Sequence, residues 1–110
     1  TEWPGLPIPN FVGGERGEVS ITQLTTQAEL DEEGRALQHC VATYGFSCRN
    51  GRCGIFALRI NHKPTITLEV DKHRFIVQAR GRYNRYLTDD ERNWVVRWLG
   101  ENRLAMAKYL

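Results

Sequence analysis

The stretch Ile55–Arg85, IFALRINHKPTITLEVDKHRFIVQARGRYNR, alternates apolar and polar residues through three consecutive runs. Successive side chains on a strand point to opposite faces. In Ile55–Ile60 this puts Phe56, Leu58 and Ile60 on one face, Ala57 and Arg59 on the other. In Thr65–Val70, Ile66, Leu68 and Val70 share the first face; Thr65, Thr67 and Glu69 share the second. In Arg74–Arg80, Phe75, Val77 and Ala79 oppose Arg74, Ile76, Gln78 and Arg80. Three runs with one split predict an antiparallel meander with one buried face. Asn61–Pro64 and Asp71–His73 are the expected connections, because Pro64 lacks the N–H of a central ladder position. A two-residue turn at Asp71-Lys72 sets Glu69 opposite Arg74 and Thr65 opposite Gln78. Pairing of Ile60 with Ile66 sets Arg59 opposite Thr67.

The second face is denser in matched polar groups than solubility requires. Cross-strand pairs on a solvated face account for such a set at roughly 0.2–1 kcal/mol per pair. A surface for an anionic ligand accounts for it as well, since Arg forks match phosphate and carboxylate geometry.

Two helices flank the meander. Thr26-Gln27-Ala28-Glu29 fits a capping box, a hydroxyl followed three residues on by Glu. Leu30, Gly34, Leu37, Val41 and Tyr44 then fall on one helical stripe. Gly34 costs about 1 kcal/mol against Ala inside a helix, which points to close packing or a break there. Thr88-Asp89-Asp90-Glu91 repeats the capping pattern and opens a long helix from Asp89 to about Lys108. Its stripe of Val95, Trp98, Leu99, Ala105 and Met106, widened by Trp94, is expected to cover the apolar sheet face. The predicted fold is α+β in two layers: a helix, a three-stranded antiparallel meander, then a long helix. Residues 1–17, with three Pro and four Gly, read as an extended arm pinned by Trp3, Ile8 and Phe11. Residues 18–110 read as a single domain, with Val19–Leu24 a short extra strand.

At 110 residues the chain can bury one core without staples. A net charge of +2 excludes a strongly basic surface, yet Arg80, Arg82 and Arg85 are bunched, with Tyr83 and Tyr86 between them. Cys40, Cys48 and Cys53 make an odd count, and no apolar run is long enough to cross a membrane. Both points favour a reduced, cytoplasmic setting with no membrane partner. The chain opens at Thr1 without a methionine, as a processed product or a piece of a longer protein would.

His39, Cys40, Cys48 and Cys53 could in principle hold zinc, but they lack paired knuckle spacing and adjacent ligands seldom reach one metal; no cofactor is expected. Neighbours on a helix diverge by about 100°, so His39 and Cys40 are not expected to activate each other. On the wheel His39 points away from the stripe, toward solvent or another surface. Cys40 flanks the stripe as a small buried hydrophobe. His62 and His73 fall in turns and read as solvated. Arg80-Gly81-Arg82-Tyr83-Asn84-Arg85-Tyr86 interleaves cations with aromatics, the composition that grips phosphates and stacks bases. A well-ordered loop whose Asn84 and Arg80 bond backbone groups is the alternative.

A multi-part pattern runs through these residues. Leu30-Asp31-Glu32-Glu33-Gly34 is followed by Leu37-Gln38-His39-Cys40-Val41 with Tyr44, then Cys48, then Ile55-Phe56-Ala57-Leu58-Arg59. Thr67-Leu68-Glu69-Val70 and Gln78-Ala79-Arg80-Gly81 with Asn84-Arg85 complete it. The pattern resembles the PcfJ-like proteins over roughly residues 24 to 100. The resemblance implies bacterial conjugative plasmids, integrative elements and phages, and domains that are parts of longer chains. It implies no settled activity. It carries His39, Cys40, Tyr44, Arg59, Glu69, Gln78, Arg80 and Asn84 as candidates for one site.

Two functions follow as expectations. The first is a nucleic-acid or phosphate-ligand binding module, with Cys40, Tyr44, Thr67, Gln78, Arg80, Arg82, Tyr83, Asn84 and Arg85 at the ligand, or a module docking a protein partner. The second is a nuclease-like or phosphodiesterase-like enzyme. There His39 is general base or acid, Glu69 its partner acid, and Arg59 with Arg80 stabilises developing charge. A buried structural network of the same polar residues is the bland alternative. Oligomeric state is not legible.

Overall fold

The computed structural model describes residues 2–108 and Leu110; Thr1, the first residue of the expected arm, lies outside them. The elements are β1 (Phe11–Gly13), β2 (Val19–Leu24), α1 (Gln27–Leu37), α2 (Gly45–Arg49), β3 (Cys53–Ile60), β4 (Lys63–Asp71), β5 (Phe75–Arg80), α3 (Asp89–Glu101) and β6 (Ala105–Met106). Short 3-10 turns occupy Val41–Tyr44 and Arg82–Asn84.

The α+β class holds, but the sheet has six strands where a three-stranded meander was expected. The strands lie in sequence order, β1 to β5 antiparallel, and β6 is added parallel to β5 after α3. The apolar alternation continues backward into Val19 and Ile21, so β2 pairs with β3 along its whole length. Within the arm, Phe11–Gly13 pairs with β2, and Trp3, Ile8 and Phe11 are buried.

The turns shift the expected registers. Asn61 and His62, both at positive φ, form the β3–β4 hairpin turn, and a bulge near Arg59 brings Ala57, not Arg59, opposite Thr67. Between β4 and β5, Glu69 pairs with Gln78 and Thr67 with Arg80, while Val70 pairs with Ile76. Val77 is thus an extra residue, and a bulge reverses the alternation on its N-terminal side. Ile76 is therefore fully buried in the core instead of sharing the polar face, and Phe75 is partly exposed instead of sharing the apolar one.

The expected apolar face is packed by α3. Val95 and Trp98 meet Phe56, Leu58, Ile66, Leu68, Val70 and Ile76 in one cluster. The rings of Phe56 and Trp98 lie 5.0 Å apart. Glu91 closes the expected capping box with Thr88, but α3 stops at Glu101, short of Lys108. Arg103 adopts a left-handed φ of 54°, and Leu104 N–H bonds back to Leu99 O, ending the helix. The second face is also covered, which makes three layers instead of two. Leu30 of α1 packs with Val41, Cys48, Cys53, Ile55 and Ala57 in a second cluster. This cover reaches only part of the face: it buries Thr67 of β4 and leaves Glu69, Gln78 and Arg80 half-buried beyond it.

Candidate functional site

Where α1 stops decides the geometry of the site. The expected stripe runs unbroken to Tyr44, but the helix ends at Leu37 because Gln38 takes a left-handed φ of 56°. The N–H of His39 then bonds back to Gly34 O at 3.2 Å. Gly34 permits this return, since a Cβ there would lie 3.0 Å from His39 O. The helical-wheel placement of His39 and Cys40 therefore does not apply. The chain turns back over the sheet, and His39 and Cys40 line one cleft together. Cys40 is exposed there, not a buried hydrophobe.

The cleft has a volume of about 80 Å³. His39, Cys40, Val41 and Tyr44 form one wall. Ile55, Thr67, Glu69, Gln78 and Arg80 rise from the sheet, and Asn84 closes one end. Eight of the expected residues thus converge: His39, Cys40, Tyr44, Thr67, Glu69, Gln78, Arg80 and Asn84. Four do not. Arg59 lies 3.7 Å from the carboxylate of Glu33. Arg85 makes paired 2.8 Å bonds to Glu91. Arg82 and Tyr83 stand exposed on the turn beside the cleft.

Glu33 is the residue that the sequence reading missed. It is only 2% exposed and accepts a 2.6 Å hydrogen bond from the Thr67 hydroxyl. The signal was present: Glu33 stands three residues after Leu30 and four before Leu37, a carboxylate on an otherwise apolar stripe. Thr67 in turn lies 2.9 Å from His39 Nε2. Because Thr67 gives its one proton to Glu33, it accepts from His39, which places the imidazole proton on Nε2. Nδ1 is buried with no hydrogen-bond partner among the described residues.

Burial shapes the protonation of these groups. Burial raises Glu33 above the ordinary carboxylate range, opposed by the Thr67 bond and the Arg59 charge. Burial lowers His39, so its ring is neutral near pH 7. Glu69 is raised by burial and then by the nearby Asp71. Burial also raises Tyr44, whose hydroxyl donates to Gln78 Oε1 at 3.0 Å and lies beside the Glu69 carboxyl. Perturbed groups gathered in a cleft mark a candidate functional site.

The lip is a shaped turn. Tyr83 and Asn84 both adopt positive φ, at 55° and 63°. Gly81 N–H bonds Arg85 O at 2.8 Å, and Asn84 N–H bonds Gly81 O at 3.0 Å. Arg80 stacks over Tyr86 at 4.5 Å, and Arg82 lies 5.3 Å from the Tyr83 ring centre. Lys63, Arg82 and Arg85 line a separate shallow groove beside the end of α1.

The considered zinc set does not assemble. Cys48 and Cys53 meet at 3.9 Å between sulfurs in the second core cluster, whereas His39 and Cys40 line the cleft. Among the described residues no group of three or more His, Cys, Asp or Glu is placed to hold a metal ion. No helix among them is long and apolar enough to cross a membrane.

A family profile described as "PcfJ-like protein" matches residues 10–95. The matched span begins before residue 24, where the motif pattern starts, and takes in β1 and β2. No curated protein and no solved structure matches the chain.

Proposed function

The chain belongs to the PcfJ-like proteins, and from that membership and the geometry of the cleft we propose that it binds single-stranded nucleic acid as a module of a mobile genetic element. The observation that carries this reading is the fixed turn at Arg82–Asn84. It holds Tyr83 69% exposed with Arg82 beside it, and the same turn sets Asn84 at one end of the polar cleft. Exposed aromatics stack bases with little regard to sequence, and neighbouring cations hold the phosphates. Lys63 and Arg82, lining one shallow groove beside the Glu91-paired Arg85, supply a path for the backbone. A strand is favoured over a duplex because the exposed rings of Tyr83 and Tyr86 suit unpaired bases and a cleft of about 80 Å³ is too small for a base pair.

The test is fluorescence anisotropy with labelled DNA and RNA strands over a salt series. Binding should weaken with salt, and Arg82→Ala should lower the slope of log K against log salt by about 0.7. Absence of binding to every strand at low salt overturns the reading.

The convergence of His39, Glu69 and Arg80 on one cleft favours a second reading, a phosphodiesterase with His39 as base. It has less support. Thr67 occupies Nε2, Nδ1 is enclosed, and Arg59 is held by Glu33. A denaturing gel of the same mixtures decides it: shortened strands favour the enzyme, intact strands the binding module.

A further inference from the structure

We propose that the cleft is a pocket for the edge of one unpaired guanine, read by the Glu69 carboxylate with the amides of Gln78 and Asn84. This inference rests on the single-strand reading above and names the base that reading leaves open.

The argument starts from size. A cleft of about 80 Å³ is well below the roughly 300–1,000 Å³ of sites that enclose a whole small molecule. It suits the edge of a flat group entering from a stacked position at the lip. Val41 and Ile55 give the cleft apolar surface for the flat faces of such a group. Its polar groups then have to match the edge.

An ionised carboxylate only accepts, and its two oxygens offer about four lone-pair sites, so Glu69 can take two donors side by side even with the Tyr44 hydroxyl already at it. Among the common bases, guanine alone presents two adjacent N–H donors, N1–H and N2–H₂, next to an acceptor, O6. Adenine and cytosine each present one donor group on that edge, and uracil or thymine one donor between two acceptors. Tyr44 already occupies Gln78 Oε1, so the free end of that amide is its NH₂, a donor for O6. The Asn84 side chain makes no hydrogen bond among the described residues, so its amide is free to join. Arg80, backed by the Tyr86 ring, lies on the same wall. Single-stranded bases are commonly read in this way, through the Watson–Crick edge after unstacking.

The experiment compares thymidine octamers carrying one central guanine, hypoxanthine, adenine or cytosine, measured by anisotropy at pH 8 and low salt. Hypoxanthine removes only the N2 amine, so it tests the second donor without changing the protein. The guanine strand should bind about tenfold tighter than the adenine strand, with hypoxanthine between them. In Glu69→Gln the guanine advantage should vanish while salt-dependent binding to all four strands persists. Equal affinities in the native protein overturn the guanine assignment and leave the single-strand reading standing. A guanine preference that survives Glu69→Gln also overturns it, because another group would be the reader. No binding to any strand overturns both. The hypoxanthine comparison keeps the test decisive if Glu69→Gln fails to fold.

Discussion

Glu33 shows how one residue links the helix to the site. It sits on the face of α1 that packs the sheet, and its carboxylate holds Thr67, which holds His39. Burial raises its folded pKa, so its contribution to stability is fully present below the unfolded value and is lost as pH rises through the folded one. Glu33→Gln keeps an acceptor for Thr67 and removes the charge. The stability of this variant relative to the native protein should therefore rise from acid toward neutral pH. Urea unfolding of both proteins at pH 4 and pH 7.5 measures it; a difference that is flat or falls with pH refutes the assignment. The same variant should change the His39 ring signals in NMR, because the Gln amide can donate to Thr67 as well as accept from it, which lets the Thr67–His39 bond reverse. Most residues that line the cleft were legible from the sequence, because alternation gave the faces of Thr67, Glu69 and Arg80 without any tertiary knowledge. Glu33 was harder to read, because its place on the Leu30–Leu37 stripe is masked by Asp31 and Glu32, with which it looks like one solvated acidic run.

Elements were easier to find at their beginnings than at their ends. Hydroxyl caps at Thr26 and Thr88 mark both long helices, and both side chains accept the expected backbone N–H. The ends were hidden because Gln38 and Arg103 take the left-handed position that glycine usually marks. That missed stop had the largest consequence for the site, since the chain beyond Leu37 carries His39, Cys40 and Tyr44 to the sheet. The loop after β5 is tied to α3 through Arg85 and Glu91, and Glu91 also caps the helix with Thr88. The Arg85 bonds hold Glu91 below the ordinary carboxylate range. Its contribution is present above the unfolded pKa and lost as pH falls through the folded one, opposite in sign to Glu33. Arg85→Ala should cost about 1 kcal/mol near neutral pH and lose less stability than the native protein on acidification. It should also weaken strand binding, because the Arg82–Asn84 turn loses its anchor. Thermal melts at pH 3.5 and pH 7, with anisotropy at neutral pH, test both parts; unchanged binding would mean that the turn holds its shape without Arg85.

The whole molecule is one sheet with a core on each face, and β3 belongs to both. Phe56 and Leu58 enter the α3 side, while Cys53, Ile55 and Ala57 enter the α1 side. Alternation placed the first core in β3 and β4 but not across the β5 bulge, where Ile76 and Phe75 change faces. The second core was read as a wet face because its cover beyond α1, Val41 to Arg49, is two short pieces whose stripe reads as a continuation of α1 and does not show that it folds back over the sheet. The cleft exists because that cover stops over β4, leaving the β4–β5 edge of the face open. It follows that damage on the two sides should have different consequences. Leu30→Ala removes a fully buried side chain beneath α1 and should cost about 2–5 kcal/mol. It should also weaken ligand binding several-fold, since α1 carries the Glu33 support and the turn leading to His39. Trp98→Phe trims the opposite core and should lower the melting temperature by several degrees, given about 1–3 kcal/mol for such a loss of packing. Affinity measured well below the melting temperature should stay native, because no side chain of α3 lines the cleft. Comparing the two variants by calorimetry and anisotropy separates stability from site geometry. If Trp98→Phe weakens binding as much as Leu30→Ala does, the sheet transmits strain between its faces and the two layers do not act independently.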